Sequence, residues 1–77
     1  MPNDQLLIGE NIRKWRELRG YKQVTFAALV GISKATLSRI ENNKQTVSIP
    51  RLQKIAICLK INATQLFKDP GELISGQ

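Results

Sequence analysis

The chain has 77 residues, of which 42% are hydrophobic, and this length favours a single small domain. Its 12 Lys and Arg against six Asp and Glu give a net charge of +6, which favours a polyanionic partner, either nucleic acid or an anionic membrane, although charge can also serve solubility alone. One Cys and no His exclude an internal disulfide, a Cys–His zinc site and a His-based catalytic triad, so we expect no enzyme activity, metal or cofactor.

The first two predicted helices span about residues 6–19 and 23–30. Each carries apolar residues at helical spacing. These residues are Ile8, Ile12 and Trp15 in the first helix, and Phe26, Ala27 and Val30 in the second. A glycine follows each helix, at Gly20 and Gly31, and glycine is the preferred residue just past a helix end.

Three further helices are predicted from cap and breaker residues. The third begins at Ser33, a favourable N-cap, and ends near residues 42–43, because Asn tolerates the left-handed conformation that follows many helices. The fourth begins near Ser48. A short fifth helix begins at Asn62 as its N-cap, before the breaker sequence KDPG at 68–71.

Five short helices joined by connections of about two to six residues predict an all-α domain. We find no alternating strand pattern of useful length. Residues 1–68 are assigned to this domain and residues 69–77 to a C-terminal tail that could contribute to a dimer contact. The residues expected to form the shared core are Ile12, Trp15, Phe26, Leu37, Ile40, Leu52, Ile55 and Leu59.

The stretch GISKATLSRIENNK, residues 31–44, separates two kinds of side chain on the third helix. At about 100° per residue, Leu37 and Ile40 fall on the core side. The outward side carries small, basic or amide-bearing residues: Lys34, Ala35, Ser38, Arg39 and Asn42. Arg and Lys can donate to guanine edges, and Ala can contact a thymine methyl group, so this face suits the major groove.

An ordinary solvated helix face has a similar composition, so composition alone leaves both interpretations open. The context favours DNA, because a helix, a short Gly-bearing turn and a second helix form the helix-turn-helix arrangement, whose second helix enters the major groove.

Four segments of the chain follow the pattern of one known family. FAALVGIS, within residues 21–44, follows LAxxxGVS, and TLSRIENNK follows TISRIENGK. LQKIAICLKINATQLF, residues 52–67, is similar to LLKIAKALGVSLDELF, and IGENIRKWRELRGYKQ, residues 8–23, matches the first helix and turn. The sequence thus resembles the Cro/C1-type (XRE) family of bacterial and phage repressors. The resemblance implies a five-helix, lambda-repressor-like domain that binds DNA as a two-fold dimer.

The resemblance also implies roles for residues at matching positions. The base-reading positions are Lys34, Ala35, Ser38 and Arg39. The positions that contact the phosphate backbone are Gln23, Ser33, Thr36, Asn42, Lys44 and Thr46. Arg16 and Glu41 match a pair that forms a structural salt bridge between the first and third helices. Simpler roles remain open, since Ser33 can be an N-cap alone and Lys44 a solvated loop cation.

Apolar residues near the C-terminus are candidates for a dimer contact. Ile57 stands where the family usually has a charged residue, and it is either an isolated exposed apolar group or part of an interface. The residues that could complete such a patch are Ile61, Phe67, Leu73 and Ile74. Cys58 replaces a usual Ala and is expected to be a small buried residue rather than a reactive thiol.

We therefore expect a homodimer that binds a two-fold symmetric site on double-stranded DNA through its third helix and represses transcription. Alternatives are a restriction–modification controller, an antitoxin with a toxin partner, or a protein-interaction module. The N-terminus lacks a basic region and an apolar run typical of a signal peptide. The longest uncharged stretch, residues 24–33, is far shorter than the ~20 residues of a membrane span. The protein is accordingly expected to be cytoplasmic.

Overall fold

The structure is a computed structural model that describes residues 5–68 and 70–71, with side chains from Ile8 onwards. The elements in this part of the chain are α1 (Gln5–Leu18), α2 (Gln23–Val30), α3 (Lys34–Glu41), α4 (Ile49–Leu59) and a 3₁₀ helix (Ala63–Phe67). They follow the boundaries predicted from sequence to within a residue or two. Within the same residues, no helix has the length and apolar character needed to cross a bilayer.

Three helix boundaries are set by caps that the sequence predicts. Gly31 adopts a φ of 90° after α2, a conformation that a side chain would strain. Ser33 then accepts a hydrogen bond from the backbone N–H of Thr36 at 3.0 Å and begins α3. Ser48 accepts one from the N–H of Arg51 at 3.4 Å at the start of α4. Each such cap stabilises its helix by about 1 kcal/mol. Residues 31–33 thus form a defined three-residue turn between α2 and α3.

The prediction of five α-helices was wrong in one element, because the described residues form four α-helices and one 3₁₀ helix. Asn62 precedes the 3₁₀ helix as predicted, and its N–H donates to Gln65 Oε1 at 2.8 Å. The backbone N–H of Gln65 donates in turn to the carbonyl of Asn62 at 2.9 Å, which is the i→i+3 bond of a 3₁₀ turn. The segment has only five residues, and helices with i→i+3 bonds typically occur in such short segments.

The core lies between α1, α2, α3, α4 and the 3₁₀ helix. All eight residues predicted for it are buried. Five further hydrophobic residues join them: Ile8, Ala27, Val30, Ala56 and Leu66. The buried side chain of Asn11 donates to the carbonyl of Leu66 at 3.0 Å, which ties α1 to the 3₁₀ helix. The other helices therefore pack against one side of α3.

Candidate nucleic-acid interface

Helix α3 is attached to the domain by its inner side. Leu37 is fully buried and Ile40 is 2% exposed, so the two predicted anchors hold the helix against the core. The turn before it is fixed as well, because the N–H of Ile32 donates to the carbonyl of Ala27 at 3.0 Å across Gly31. The opposite side of α3 is therefore directed to solvent as a rigid surface.

The outward side of α3 carries the residues that the sequence assigned to base reading. Lys34, Ala35 and Arg39 are exposed and Ser38 is half-buried. Arg39 is oriented by two neighbours, since its Nε donates to Gln45 Oε1 at 2.9 Å and its Nη2 to Thr36 Oγ1 at 3.2 Å. An arginine has five N–H donors, so three remain for a ligand after these bonds.

Asn42 and Ser38 are bonded to each other at the end of α3. The Nδ2 of Asn42 donates to the carbonyl of Ser38 at 2.9 Å and lies 3.4 Å from its Oγ. A phosphate can only accept hydrogen bonds, and the Nδ2 group of Asn42 already donates to a carbonyl near the end of α3. The predicted phosphate contact of Asn42 would have to compete with this bond.

The loop between α3 and α4 stands beside the outward side of α3. It begins at Asn43, which has a φ of 59°, and the N–H of Lys44 donates to the carbonyl of Arg39 at 2.8 Å. Lys44 and Thr46 are both exposed in this loop, next to the C-terminal end of α3. The structure thus brings the predicted loop residues together with the predicted base-reading residues.

The predicted salt bridge between α1 and α3 is present and buried. Arg16 Nε lies 2.7 Å from Glu41 Oε2, and Arg16 Nη2 donates to Glu41 Oε1 at 3.2 Å. Arg16 Nη1 also donates to the carbonyl of Tyr21 at 2.8 Å. Sequence reasoning did not foresee that Gln23 Nε2 would donate to Glu41 Oε1 at 2.9 Å, which links the start of α2 to the same pair.

Gly9 is a residue of the site that sequence reasoning missed. A Cβ at this position would overlap the backbone carbonyl oxygen of Ile40 and would lie 2.6 Å from Asn43 Oδ1. Helix α1 therefore touches the C-terminal end of α3 at a point where only glycine fits. A glycine inside a predicted helix costs up to about 1 kcal/mol relative to Ala, and this cost was the available signal of a close packing contact.

Acidic and basic residues are unevenly distributed over the surface. From residue 18 to residue 68 the sole acidic residue is Glu41, which is buried in its pair with Arg16. The exposed acids of the described residues, Glu10 and Glu17, both lie on α1. The exposed bases of the described helices and loops beyond α1 are Arg19, Lys22, Lys34, Arg39, Lys44, Arg51, Lys54, Lys60 and Lys68. Among the described residues, no exposed carboxylate therefore lies on the outward side of α3, where an anionic ligand would bind.

The structure does not gather the predicted dimer-contact residues into one patch. Ile57 and Ile61 line a groove between α4 and the 3₁₀ helix. Phe67 instead lines a larger groove, together with Ile49, a residue that was not predicted. The predicted residues Leu73 and Ile74 lie outside the described residues. Cys58 is half-buried rather than buried.

We name the larger groove the loop-side groove. It runs between the start of α1, the α3–α4 loop and the start of α4. Its lining residues are Ile8, Gly9, Ile40, Asn43, Lys44, Gln45, Thr46, Val47, Ile49, Leu52 and Phe67. Ile49 is 67% exposed and Phe67 is 46% exposed, so the groove presents apolar surface next to the basic loop.

Comparison with known proteins gives consistent matches. A family model described as helix-turn-helix matches residues 12–66 of the chain. The HTH-type transcriptional regulator SinR of Bacillus licheniformis is 34% identical over 67 residues, which are 86% of this chain and 60% of SinR. Antitoxin PezA of Streptococcus pneumoniae is 40% identical over 58 residues, which are 75% of this chain and 35% of PezA. The chain thus spans less than two thirds of the length of these two relatives.

Two solved structures show the same fold. A crystal structure of SinR in complex with DNA has a TM-score of 0.74 and 34% identity, covering 79% of this chain and 98% of that one. The restriction-modification controller protein C.AhdI from Aeromonas hydrophila has a TM-score of 0.77 and 28% identity, covering 82% of this chain and 91% of that one.

Proposed function

This chain belongs to the helix-turn-helix family of Cro/C1-type regulators, and on that premise we propose that it is a cytoplasmic, sequence-specific DNA-binding repressor that acts as a dimer. The observation that carries the proposal is the outward side of α3, whose side chains are small, basic or polar and which has no exposed carboxylate from the described part of the chain beside it. The crystal structure of SinR in complex with DNA supports a nucleic-acid ligand for a domain of this shape.

In this proposal α3 enters the major groove and its exposed side reads base edges. Ala35 is small, so the helix backbone can approach the floor of the groove closely. Arg39 has three N–H donors left for guanine O6 and N7, and Lys34 can reach the same acceptors. Ser38, bonded to Asn42, adds an adaptable hydroxyl.

Phosphates are bound by residues around α3. Lys44 and Thr46 in the α3–α4 loop, and Ser33 and Thr36 at the start of α3, lie on either side of the reading face. Gln23 can contribute from the start of α2, although its amide already donates to Glu41. Cations that neutralise phosphates release counterions, so binding is expected to weaken steeply as salt rises.

We place the dimer contact at the loop-side groove, with Ile49 and Phe67 as its exposed apolar residues. This groove is bordered by the α3–α4 loop, so a two-fold contact there would bring the C-terminal ends of both copies of α3 near the dimer axis. The protomer measures 35 × 30 × 19 Å. Two such protomers side by side match the ~34 Å that separates successive major grooves on one face of DNA.

Two related roles have a specific observation in their favour. The chain covers 91% of the restriction-modification controller C.AhdI, which supports a controller function. Its 40% identity to antitoxin PezA supports a role in which a protein partner also binds. Both roles keep DNA binding by α3 and differ in what else the protein contacts.

The test is selection of bound sites from random double-stranded DNA at one fixed salt concentration. We expect a two-fold symmetric motif whose half-sites are about 10 base pairs apart. Ile49→Ser should lower dimerisation and weaken selection of the symmetric motif, whereas the equally exposed control Ile57→Ser should not. Recovery of no enriched motif would overturn the proposal, and a motif without symmetry would overturn the dimer.

Repression itself needs a separate readout. A reporter gene with the selected motif across its promoter should be expressed less when the protein is present. Arg39→Ala should restore expression, because it removes a base contact without disturbing the core. Increased expression with the intact protein would identify an activator instead.

A further inference from the structure

The groove between α4 and the 3₁₀ helix has no role in the proposed DNA complex. We name it the Ile57 groove, and its lining residues are Gln53, Ala56, Ile57, Ile61, Asn62 and Ala63. Ile57 is 70% exposed, the highest exposure among the large hydrophobic side chains of the described residues. Burial of an isoleucine side chain would stabilise a protein by about 1.5–3 kcal/mol, and this free energy is not gained here. The inner side of α4 is already apolar, so the packing of the helix does not need Ile57.

Two lysines lie close to Ile57, one on α4 and one just past its C-terminal end. Lys54 stands three residues before Ile57 on α4, a position that lies close to it on a helical surface. Lys60 follows the end of α4 in a left-handed conformation, and its backbone N–H donates to the carbonyl of Ile57 at 3.0 Å. Neither has an ion pair within the residues that the structure describes. The sequence also contains no acidic residue between Glu41 and Asp69. Two exposed lysines that have no ion pair among the described residues thus stand near this largely apolar groove.

A second copy of the chain fits this groove poorly. A two-fold contact through Ile57 would bring Lys54 and Lys60 of both copies together, and like charges placed across an interface are repulsive. The Ile57 groove is also distant from the α3–α4 loop, because Ile57 is two helical turns, about 12 Å, from Ile49 along α4. A dimer formed here would therefore not bring the two α3–α4 loops together.

DNA is an equally poor occupant. Phosphates would find the two lysines, but the centre of the surface is an isoleucine and a groove with Ile61 and Ala63 in its lining. Such a surface favours a ligand that combines apolar side chains with negative charge.

We propose that the Ile57 groove binds an acidic amphipathic helix of a partner protein. Apolar residues on one face of that helix would cover Ile57 and fill the groove beside Ile61. Carboxylates at its edges would pair with Lys54 and Lys60. The groove lies on the part of α4 remote from the DNA-facing loop, so the partner and DNA bind at the same time. The inference stands on the groove and its charges, and does not depend on the proposed operator binding.

The probe is a synthetic helical peptide of about 15 residues, with Leu at every third and fourth position and Glu elsewhere, labelled with fluorescein. Two control peptides are needed, one with each Glu replaced by Lys and one with each Leu replaced by Ala. Binding to the full chain is measured by fluorescence anisotropy. The site is mapped by amide chemical shifts of the ¹⁵N-labelled protein.

The acidic peptide should shift the amides of Gln53, Ile57 and Asn62, and both control peptides should bind much more weakly. Ile57→Ser should weaken binding by about tenfold or more, because burial of one isoleucine is lost. Ile49→Ser is the matched control, with the same residue type and similar exposure on the same helix, and should change binding by less than about twofold. Lys54→Glu should also weaken binding and should reduce its sensitivity to salt.

Three results would overturn the proposal. Shifts confined to Lys34, Arg39 and Lys44 would mean that the peptide simply binds the basic side of α3. Equal binding of the Glu and Lys peptides would remove the electrostatic argument. Shifts at Ile57 that depend on protein concentration alone would identify a second copy as the occupant.

Discussion

The two sides of α3 are held in opposite ways. The inner side is fixed by fully buried groups, with Leu37 in the core and Glu41 in a buried ion pair with Arg16. The outer side is held by exposed hydrogen bonds alone, such as those from Arg39 to Thr36 and Gln45. Buried interactions of this kind are strong and depend on their exact partners, whereas exposed polar contacts are weak and exchangeable.

This difference separates where the helix lies from what it recognises. Substitutions on the inner side should change folding stability and leave sequence preference intact in the molecules that still fold. Substitutions on the outer side should change DNA binding and leave folding stability intact. The four experiments below test this division, from the largest expected effect to the smallest.

Glu41→Ala should have the largest effect. It leaves the guanidinium of Arg16 buried without its partner and removes the acceptor of Gln23, so we expect a loss of about 3–5 kcal/mol of folding free energy. The free energy of unfolding is measured by urea denaturation, monitored by circular dichroism. The double variant Arg16→Met, Glu41→Leu is the control and should recover much of the loss, because it removes both charges together. A single variant as stable as the parent would contradict a structural role for the pair.

Gly9→Ala should destabilise the domain by about 1–3 kcal/mol, because the added methyl group meets the carbonyl of Ile40 and forces α1 and α3 apart. Gly20→Ala separates crowding from backbone strain. Gly20 has a φ of 82° but nothing within 4 Å of an added Cβ, so its substitution introduces conformational strain alone. Thermal denaturation of both variants gives the comparison. If Gly9→Ala proved stabilising, as helix propensity alone predicts, the close contact would be refuted.

Arg39→Ala should leave the melting temperature almost unchanged and cost about 1–3 kcal/mol of binding to the selected DNA site, with relaxed preference at one base position. The measurement is a binding titration against the selected site and against every single-base variant of it. Equal losses on the selected site and on random DNA would show that Arg39 contacts phosphate instead of a base.

Lys44→Ala should have the smallest effect. We expect it to weaken binding to specific and random DNA alike and to lower the slope of log K against log salt by about 1, as for one lost phosphate contact. Lys60→Ala, an exposed lysine just past the end of α4 that is remote from the α3–α4 loop, is the control and should leave the slope unchanged. A slope unaffected by Lys44→Ala would reject the phosphate contact.

Local chemistry made much of this molecule predictable from its sequence. Gly31 and Ser33 fix the turn between α2 and α3, because a left-handed glycine and a serine cap act within a few residues of themselves. The helical spacing of Leu37 and Ile40 gave the buried side of α3, and with it the outward positions of Lys34 and Arg39. The family resemblance added the pairing of Arg16 with Glu41, which residue spacing alone does not reveal.

Other features depend on residues that are distant in sequence. The resemblance supplied the partner of Arg16 but not the bond from Gln23 to Glu41, since nothing in the local pattern orients that amide. Ile57 and Phe67 were grouped because both are apolar and near the C-terminus, yet they line different grooves once α4 packs. The fifth helix was predicted from its cap, whereas its 3₁₀ geometry follows from backbone bonds of i→i+3 span.

The sequence by itself determined the helices, the turn between α2 and α3 and the polar outward side of α3, because caps, glycines and helical periodicity act over one or two turns. Only the tertiary structure decided that α1 must carry a glycine against the carbonyl of Ile40, and that Ile49 and Ile57 belong to separate surfaces. Those outcomes depend on the distances between helices, which packing sets and which no local pattern of residues encodes.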